Sequence, residues 1–215
     1  MTQMTDLGKC CSAAALSRPA RQVHQAVLTA FAETGRAPAR ADLERLAASH
    51  GTSPAAVLTE LADRDVVAFD ARGEIRAAYP FSPYPTAIRV SWDGGPLAYA
   101  MCAIDALGIS AMLGRPVTIT AAEPGTGRVI TVDVDGGQAR WNPGSAVVFA
   151  GAAGDGSGPS ADRTCGYINF FTSARAARTW AASNPAIPGK VLHQARALSS
   201  GVAEFGALLR AADPG

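Results

Sequence analysis

Two cysteines and one aspartate are the side chains most able to carry out chemistry, and one of the cysteines lies close to the aspartate in the sequence. Cys102 and Asp105 lie three positions apart in the apolar segment LAYAMCAIDALG, residues 97–108. Cys165 opens a second apolar segment, CGYINFF, which we expect to be a strand, directly after a stretch rich in Gly, Ser and Asp. Thiols bind soft metals or act as nucleophiles, and a nearby carboxyl group can carry a proton. The three residues are therefore the candidates for a site made of two sulfurs and one acid.

The segment around Cys102 must place its thiol and the carboxyl side by side. We expect a helix that begins at Pro96 and ends at Gly114, because proline suits the first helical position and glycine the end of a helix. Residues three apart share a helix face, so Cys102 and Asp105 would be neighbours. A lone cysteine can equally be a small core residue, but an acid in so apolar a helix needs a partner or a task.

The cysteine count indicates reduced thiols. The chain has four cysteines in 215 residues: Cys10, Cys11, Cys102 and Cys165. So few cysteines in a chain of this length do not make a disulfide framework. The adjacent pair Cys10 and Cys11 cannot easily form a disulfide with each other, because the bridge would strain the peptide between them. We therefore expect free thiols.

The elements expected along the chain define three regions. Residues 1–18 have the character of a flexible arm. In residues 19–80 three amphipathic helices are followed by a hairpin, which is the winged-helix plan. In residues 81–215 strands cluster, mostly as antiparallel hairpins, one of them around a turn at residues 124–127, and helices flank them. We expect one of these helices to be capped by Ser173 and the last to begin at Ser199. The predicted class is therefore α+β, with an N-terminal winged-helix-like domain followed by a mixed α/β domain.

Charge and hydropathy exclude two classes of partner. The net charge is +1, and residues 19–80 contain seven arginines against eight acids, so the helical region lacks the positive excess that binds phosphates. No segment approaches the run of roughly 20 apolar residues that spans a membrane. The first residues lack the apolar core of a secretion signal. We expect no nucleic acid, no membrane contact and a cytoplasmic location.

Three longer segments resemble one known family. YAMCAIDALGISAMLGRPVTITAAEPGTG, TCGYINFFTSARAARTWAAS and VLHQARALSSGVAEF, within roughly residues 80–206, are similar to the organomercurial lyases, also called alkylmercury lyases. The resemblance implies that Cys102 and Cys165 are catalytic thiols that bind mercury, and that Asp105 is the catalytic acid. It also implies a winged-helix region that does not bind DNA. Met101 stands where the family often has an aromatic residue, which bears on substrate range.

The resemblance implies cleavage of a carbon–mercury bond by protonolysis. Two sulfurs would donate electron density to mercury, and Asp105, with a pKa raised by an apolar pocket, would relay a proton to carbon. The products would be a hydrocarbon and Hg(II) held by Cys102, Cys165 and Asp105, with no cofactor required. Low-molecular-weight thiols would release the metal, and a mercuric reductase would be its acceptor.

Three other interpretations remain open at this point. Cys102, Asp105 and Cys165 could bind a transition metal such as zinc or copper with His193 as a fourth ligand. Cys102 and His193 could form a Cys–His hydrolase site. The winged-helix plan could belong to a regulator that senses metals through its thiols. The cysteine spacing lacks the usual zinc pattern, and the charge balance disfavours DNA binding.

The pair Cys10 and Cys11 leads to a separate hypothesis. Two adjacent thiols in a mobile arm beside Lys9, which would favour the thiolate form, could take up or hand on Hg(II). The alternative is an incidental pair with no role in metal transfer.

Overall fold

The computed structural model describes residues 9–153 and 159–209, and its first part is helical. From residue 9 onward, four helices precede the first described strand: α1 Lys9–Ala14, α2 Arg18–Thr34, α3 Arg40–Ser49 and α4 Pro54–Asp63. Helix α2 begins where the Ser17 side chain accepts a hydrogen bond from the Ala20 N–H, and it ends at Gly35, whose φ of 69° is left-handed. A hairpin of β1 Val67–Phe69 and β2 Ile75–Ala78 follows α4. The order of helices and hairpin is as predicted, and the winged-helix description stays a prediction.

Helix α1 replaces part of the predicted flexible arm. Its first residue, Lys9, donates from its backbone N–H to Glu204 at 2.6 Å and from its ammonium group to Asp65 at 2.6 Å. These partners lie 195 and 56 positions away in the sequence, so no local pattern could reveal them. The prediction of a loose segment is therefore wrong for residues 9–14, and residues 1–8 lie outside the described part of the chain.

An eight-stranded antiparallel sheet forms the main layer, in the order β1-β2-β3-β5-β4-β6-β7-β8. Its further strands are β3 Phe81–Ser82, β4 Ile88–Ser91, β5 Ala98–Ala100, β6 Val117–Ala122, β7 Val129–Asp135 and β8 Gln138–Asn142. The hairpin predicted around the turn at residues 124–127 is confirmed as β6 and β7. Ala78 pairs with Phe81, so the sheet continues across the boundary predicted at residue 80, and the division into domains stays a prediction.

A smaller sheet holds the second half of the site. Its order is β10-β9-β11, with β9 Val147–Gly151, β10 Ile168–Phe171 and β11 Gly189–Leu192. Helix α7, Ala174–Ser183, begins where the Ser173 side chain accepts from the Ala176 N–H, as the sequence predicted. Trp180 of this helix packs against Phe149 and Phe171, with ring centroids 5.4 Å and 5.6 Å apart. The short helix α6, Ser160–Arg163, precedes Cys165.

Helix α5, Ala103–Leu113, lies buried at the centre of the molecule and begins later than predicted. The expected start at Pro96 is wrong, because residues 98–100 form strand β5 between β3 and β4. Periodicity alone cannot distinguish a buried helix from a buried strand in a continuous apolar run. The predicted end is confirmed: Gly114 has a φ of 64° and donates to the Ser110 carbonyl.

Helix α8, Gln194–Phe205, crosses α5 at a contact between glycines. A Cβ atom on Gly108 would lie 2.4 Å from the Gly201 carbonyl oxygen, and one on Gly201 would lie 2.6 Å from the Ile104 carbonyl oxygen. Only glycines allow the two backbones to approach so closely. Helix α8 begins at Gln194, five residues before the predicted start. Helices and mainly antiparallel strands confirm the α+β class.

Within residues 9–153 and 159–209, no helix combines the length and the apolar character that crossing a membrane requires.

Candidate active site

Cys102 lies at the N-cap of helix α5. Its backbone is extended, with a φ of −155°, and its Sγ atom accepts a hydrogen bond from the Asp105 N–H at 3.4 Å. The thiol therefore occupies the position in which Ser or Asp commonly caps a helix. The predicted placement of Cys102 inside the helix is wrong. Its predicted proximity to Asp105 is confirmed, because an N-cap side chain meets the third residue of the first turn.

Cys165 reaches the same place from the smaller sheet. It begins a 3-10 turn, Cys165–Tyr167, and β10 starts at Ile168, so the prediction that Cys165 opens the strand itself is wrong. Its Sγ–H donates to Asp105 Oδ2 across 3.9 Å, although the two residues are 60 positions apart. The two sulfurs and a carboxylate oxygen of Asp105 all lie within 4.8 Å of one another. The structure thus brings together the three residues that the sequence singled out.

The three side chains are closed off from water. Cys102 is 2% exposed, and Asp105 and Cys165 are each 5% exposed. Burial raises the pKa of Asp105 from 3.8 to about 7, because a carboxylate loses its hydration there. The hydrogen bond with Cys102 and the positive charge of Lys9 act in the opposite direction, while the negative charge of Glu204 raises this pKa further. Asp105 can therefore exchange a proton near neutral pH.

Burial also raises the pKa of the Cys102 thiol well above its ordinary value. The neighbouring Cys165 thiol and the Asp105 carboxylate contribute in the same direction, since each disfavours a second negative charge. Cys102 is consequently a neutral thiol at neutral pH when no metal is bound. Forming a thiolate in this site requires a base, and Asp105 contacts both sulfurs. Its backbone N–H donates to Cys102 Sγ, and its carboxylate oxygen Oδ2 accepts from Cys165 Sγ–H.

Polar residues beside the site were missed in the sequence. The Tyr79 hydroxyl donates to Asp65 at 3.3 Å and accepts from the Ala161 N–H at 2.6 Å. Burial, with the charges of Cys165 and Asp65, raises the pKa of Tyr79 far beyond its ordinary value. The Lys9 ammonium lies 4.1 Å from the centre of the Tyr79 ring. The one available signal was the rarity of lysine, since the chain has only Lys9 and Lys190.

Other residues named from the sequence lie elsewhere. His193 is exposed at the N-cap of α8 and does not belong to the donor cluster found among the described residues. Met101 is half-buried and packs against the hydrophobic core. Cys10 is half-buried and Cys11 exposed on α1. The ammonium of Lys9 is paired with Asp65, so the charge that was expected to favour a thiolate at this pair is already engaged.

Fold and site together define an α+β protein with a buried cluster of two thiols and one carboxyl, a donor set suited to a soft metal ion. The family model of the alkylmercury lyases, MerB, matches residues 81–206, which include all three cluster residues. The chain belongs to the alkylmercury lyase family, a family of enzymes.

Individual relatives agree with this assignment. An alkylmercury lyase of Staphylococcus epidermidis is 29% identical over 185 residues, which cover 86% of this chain and 80% of the relative. An alkylmercury lyase of Streptomyces lividans is 30% identical over 146 residues, covering 66% of each chain. The crystal structure of the mercury-bound form of MerB2 superposes with a TM-score of 0.74 at 26% identity, covering 94% of this chain and 96% of that one.

Proposed function

We propose that the protein cleaves the carbon–mercury bond of organomercurials by protonolysis, releasing a hydrocarbon and Hg(II) bound to two cysteines. The observation that carries this proposal is the convergence of the Cys102 and Cys165 sulfurs and the Asp105 carboxyl within 4.8 Å. The cluster combines the two components that the reaction requires, which are soft ligands for the metal and a proton donor for the carbon.

The two sulfurs act on mercury. One cysteine thiol displaces the small thiol that carries the organomercurial: a new sulfur–mercury bond forms, the old one breaks, and the cysteine's proton goes to the leaving sulfur. The second sulfur then adds to the same mercury atom and donates electron density, which gives the attached carbon carbanion character. Because the two Sγ atoms face one small volume, both can bind a single mercury atom with little movement.

Asp105 moves the proton. Its carboxylate takes the proton of the second cysteine thiol as that sulfur adds to mercury. The Cys165 Sγ–H donates to Asp105 Oδ2 across 3.9 Å, which supports transfer from a cysteine to this acid. The carboxylic acid then protonates the carbon as the carbon–mercury bond breaks, and the bonding electron pair leaves with the carbon. A pKa of about 7 supports both roles, since the group can gain and lose a proton near neutral pH.

Product release requires exchange with other thiols. A buried dithiolate holds Hg(II) tightly, and low-molecular-weight thiols can displace it stepwise. A mercuric reductase is the proposed acceptor, and a cytoplasmic location would supply both the thiols and the reductase. No cofactor takes part in this scheme. The proposal that Cys10 and Cys11 relay the metal is tested by replacing both with serine and measuring transfer to the reductase; unchanged transfer contradicts it.

A resident transition metal is the alternative function for the same donors. The cluster offers three ligands within 4.8 Å, which a soft ion could occupy. Metal analysis of protein purified without added mercury distinguishes the two. One zinc or copper ion per chain favours the alternative, whereas a metal-free protein that releases hydrocarbon from an organomercurial supports the lyase.

The test of the proposed function is hydrocarbon release from methylmercury or phenylmercury with excess thiol. We expect turnover by the natural chain and loss of most of it in Cys102→Ala, Asp105→Ala and Cys165→Ala. Asp63→Ala is a matched control for Asp105→Ala, because Asp63 is an exposed acid that is not one of the three donors. Full activity in any of the three variants would contradict the role assigned to that residue.

A further inference from the structure

The carboxylate of Asp65 joins separate parts of the chain beside the site. It accepts hydrogen bonds from the Lys9 ammonium at 2.6 Å and from the Tyr79 hydroxyl at 3.3 Å. It also accepts from both the backbone N–H of Ser160, at 3.1 Å, and the Ser160 hydroxyl, at 2.5 Å. Lys9 begins α1, Tyr79 follows β2 and Ser160 begins α6. One acid after the end of α4 therefore connects α1, the sheet and α6.

The backbone of Asp65 is unusual for a residue with a side chain. Its φ of 51° makes it the one non-glycine residue with a positive φ in residues 9–153 and 159–209. It follows the C-cap of α4, and its N–H donates to the Ala62 carbonyl at 2.9 Å. Glycine is favoured at such a position, because a Cβ atom crowds the left-handed backbone. The four partners of the carboxylate give a reason for an aspartate in this place.

Hydrogen bonds lead from Asp65 to the turn that carries Cys165. The Ser160 carbonyl accepts from the Thr164 N–H at 3.0 Å and from the Thr164 hydroxyl at 3.1 Å. The Thr164 carbonyl accepts from the Tyr167 N–H at 2.8 Å, which closes the turn around Cys165. The position of Ser160 therefore determines where this turn begins.

Further contacts hold the same short helix. The Ala161 N–H donates to the Tyr79 hydroxyl at 2.6 Å, and that hydroxyl in turn donates to Asp65. Arg76 binds Asp162 through two hydrogen bonds of 2.8 Å and 2.5 Å, and in this pair Arg76 is half-buried but Asp162 is exposed to solvent. Screening by water weakens the exposed pair, so the less exposed junction at Asp65 is the stronger anchor.

We propose that Asp65 is a positioning residue that holds the Cys165 thiol against Asp105. Asp65 does not touch the reacting atoms and acts through Ser160 and the turn that follows it. Without its carboxylate, α6 loses its attachment to α4 and keeps at this junction the 3.0 Å hydrogen bond from the Lys9 ammonium to the Ser160 hydroxyl. That single bond does not hold the turn, and the sulfur of Cys165 no longer stays 3.9 Å from Asp105 Oδ2. The effect on turnover rests on the proposed function, whereas the effect on the accessibility of Cys165 does not.

The test measures how fast a thiol reagent reaches Cys165. A full-length parent with Cys10→Ser, Cys11→Ser and Cys102→Ser retains Cys165 as its one thiol. Its reaction with an aromatic disulfide, at one fixed pH, is compared with that of the same parent carrying Asp65→Asn or Asp65→Gly. We expect reaction about tenfold faster or more in both variants, because hydrogen bonds to a charged group are lost.

Asp65→Gly separates positioning from folding, because glycine relieves the left-handed backbone while removing the carboxylate. We expect its thermal midpoint to stay within a few degrees of the parent's while Cys165 reacts faster. Asp63→Asn is the matched control, since it removes an exposed acid two positions earlier, and it should react like the parent. Ser160→Ala keeps the Lys9–Asp65 pair and should give a smaller acceleration in a folded protein. Parent-like reactivity in folded Asp65→Gly would overturn the proposal.

Turnover of an organomercurial by the four-cysteine chain gives the second measurement. Asp65→Gly should lower kcat by about tenfold or more, in proportion to the time that Cys165 spends away from Asp105. An unsubstituted chain without turnover would refute the proposed function, and the reactivity comparison would still decide the role of Asp65. An active chain whose Asp65 variants match it in both measurements would refute the positioning role alone.

Discussion

At the residue scale, Cys102 is both a helix cap and a proposed mercury ligand. Its Sγ accepts from the Asp105 N–H, so the thiol that would bind substrate also fixes the first turn of α5. A sulfur is a weak acceptor compared with a hydroxyl. The two roles can therefore be separated by substitution with residues that differ in capping and in affinity for mercury.

We predict that Cys102→Ser retains or improves stability, whereas Cys102→Ala loses about 1 kcal/mol in the free energy of unfolding because the cap is removed. Urea unfolding measures both values. Both variants should lose organomercurial turnover, since neither provides a sulfur. Substantial turnover by Cys102→Ser would contradict a requirement for sulfur at this position.

The raised pKa of Asp105 predicts how the reaction depends on pH. The ionised carboxylate is the form that accepts a thiol proton, so kcat/KM should fall as pH drops below about 7, where this buried group becomes protonated. Lys9→Met should move the midpoint to higher pH, because the ammonium lowers the pKa of Asp105. Glu204→Gln should move it to lower pH, because that carboxylate raises the pKa.

Initial rates of hydrocarbon release across the pH range provide the measurement. Glu44→Gln is a control, since Glu44 pairs with Arg40 on α3 and does not appear among the groups that shift Asp105. Shifts of the same sign in the Lys9 and Glu204 variants would contradict this electrostatic account.

At the element scale, two helices set the position of Asp105. Helix α5 carries the acid in its first turn, and α8 packs on α5 through Gly108 and Gly201. A Cβ atom on Gly201 would lie 2.6 Å from the Ile104 carbonyl oxygen and 2.8 Å from the Gly108 nitrogen. Both neighbours are backbone atoms, so relief requires one helix to move.

We therefore predict that Gly201→Ala lowers the free energy of unfolding by about 1–3 kcal/mol through overpacking. Gly137→Ala is the control, because a Cβ atom there meets nothing within 4 Å. Thermal or urea unfolding of the two variants gives the comparison. Equal stability of the two variants would show that the helices separate without cost.

The sequence predicted most elements, and the exceptions have a common physical reason. The hairpin of β6 and β7 and the caps at Ser173 and Gly114 follow from local alternation and local hydrogen bonds. Strand β5 and helix α1 were missed because distant partners determine them. Residues 98–100 are a strand because β3 and β4 flank them, and Lys9 is ordered by Asp65 and Glu204.

The site was predicted in its members but not in its geometry. The spacing of Cys102 and Asp105 indicated contact, which the structure provides through an N-cap instead of a shared helix face. Cys165 was a candidate from its position at the start of an apolar segment, and the resemblance to the lyase family assigned it to the same site as Cys102 and Asp105, since no local rule connects residues 60 positions apart. The polar junction at Asp65 had no sequence signal, because an acid after a helix resembles any solvated surface residue.

At the scale of the whole molecule, the site exists only because two sheets are held together. Cys102 follows β5 of the larger sheet, and Cys165 precedes β10 of the smaller one. Glu123, at 2% exposure beside the end of β6, accepts hydrogen bonds at 2.7 Å from both the N–H and the hydroxyl of Thr172. Thr172 directly follows β10, so this carboxylate links the two sheets.

We predict that Glu123→Ala lowers the free energy of unfolding by about 2–3 kcal/mol, because it leaves the Thr172 donors without their acceptor. Thr126→Ala should cost less, because it removes the 2.5 Å bond from the Thr126 hydroxyl to Glu123 and the 3.3 Å bond that this hydroxyl accepts from the exposed Arg128 N–H, and it keeps both bonds to Thr172. Urea unfolding of both variants provides the values. A loss in Thr126→Ala equal to that in Glu123→Ala would contradict the role of the bonds to Thr172.

The central claim, that both sulfurs bind one mercury atom after the bond is broken, can be tested by mercury X-ray absorption. The protein is allowed a single turnover of an organomercurial with no added thiol, and the sulfur ligands of the retained mercury are counted. We expect two sulfur ligands in the natural chain. Cys165→Ser, which is expected to lose most of the turnover, is loaded with one equivalent of Hg(II) directly, and we expect one protein sulfur on its mercury. Mercury held by a single sulfur in the natural chain after hydrocarbon release would contradict the account.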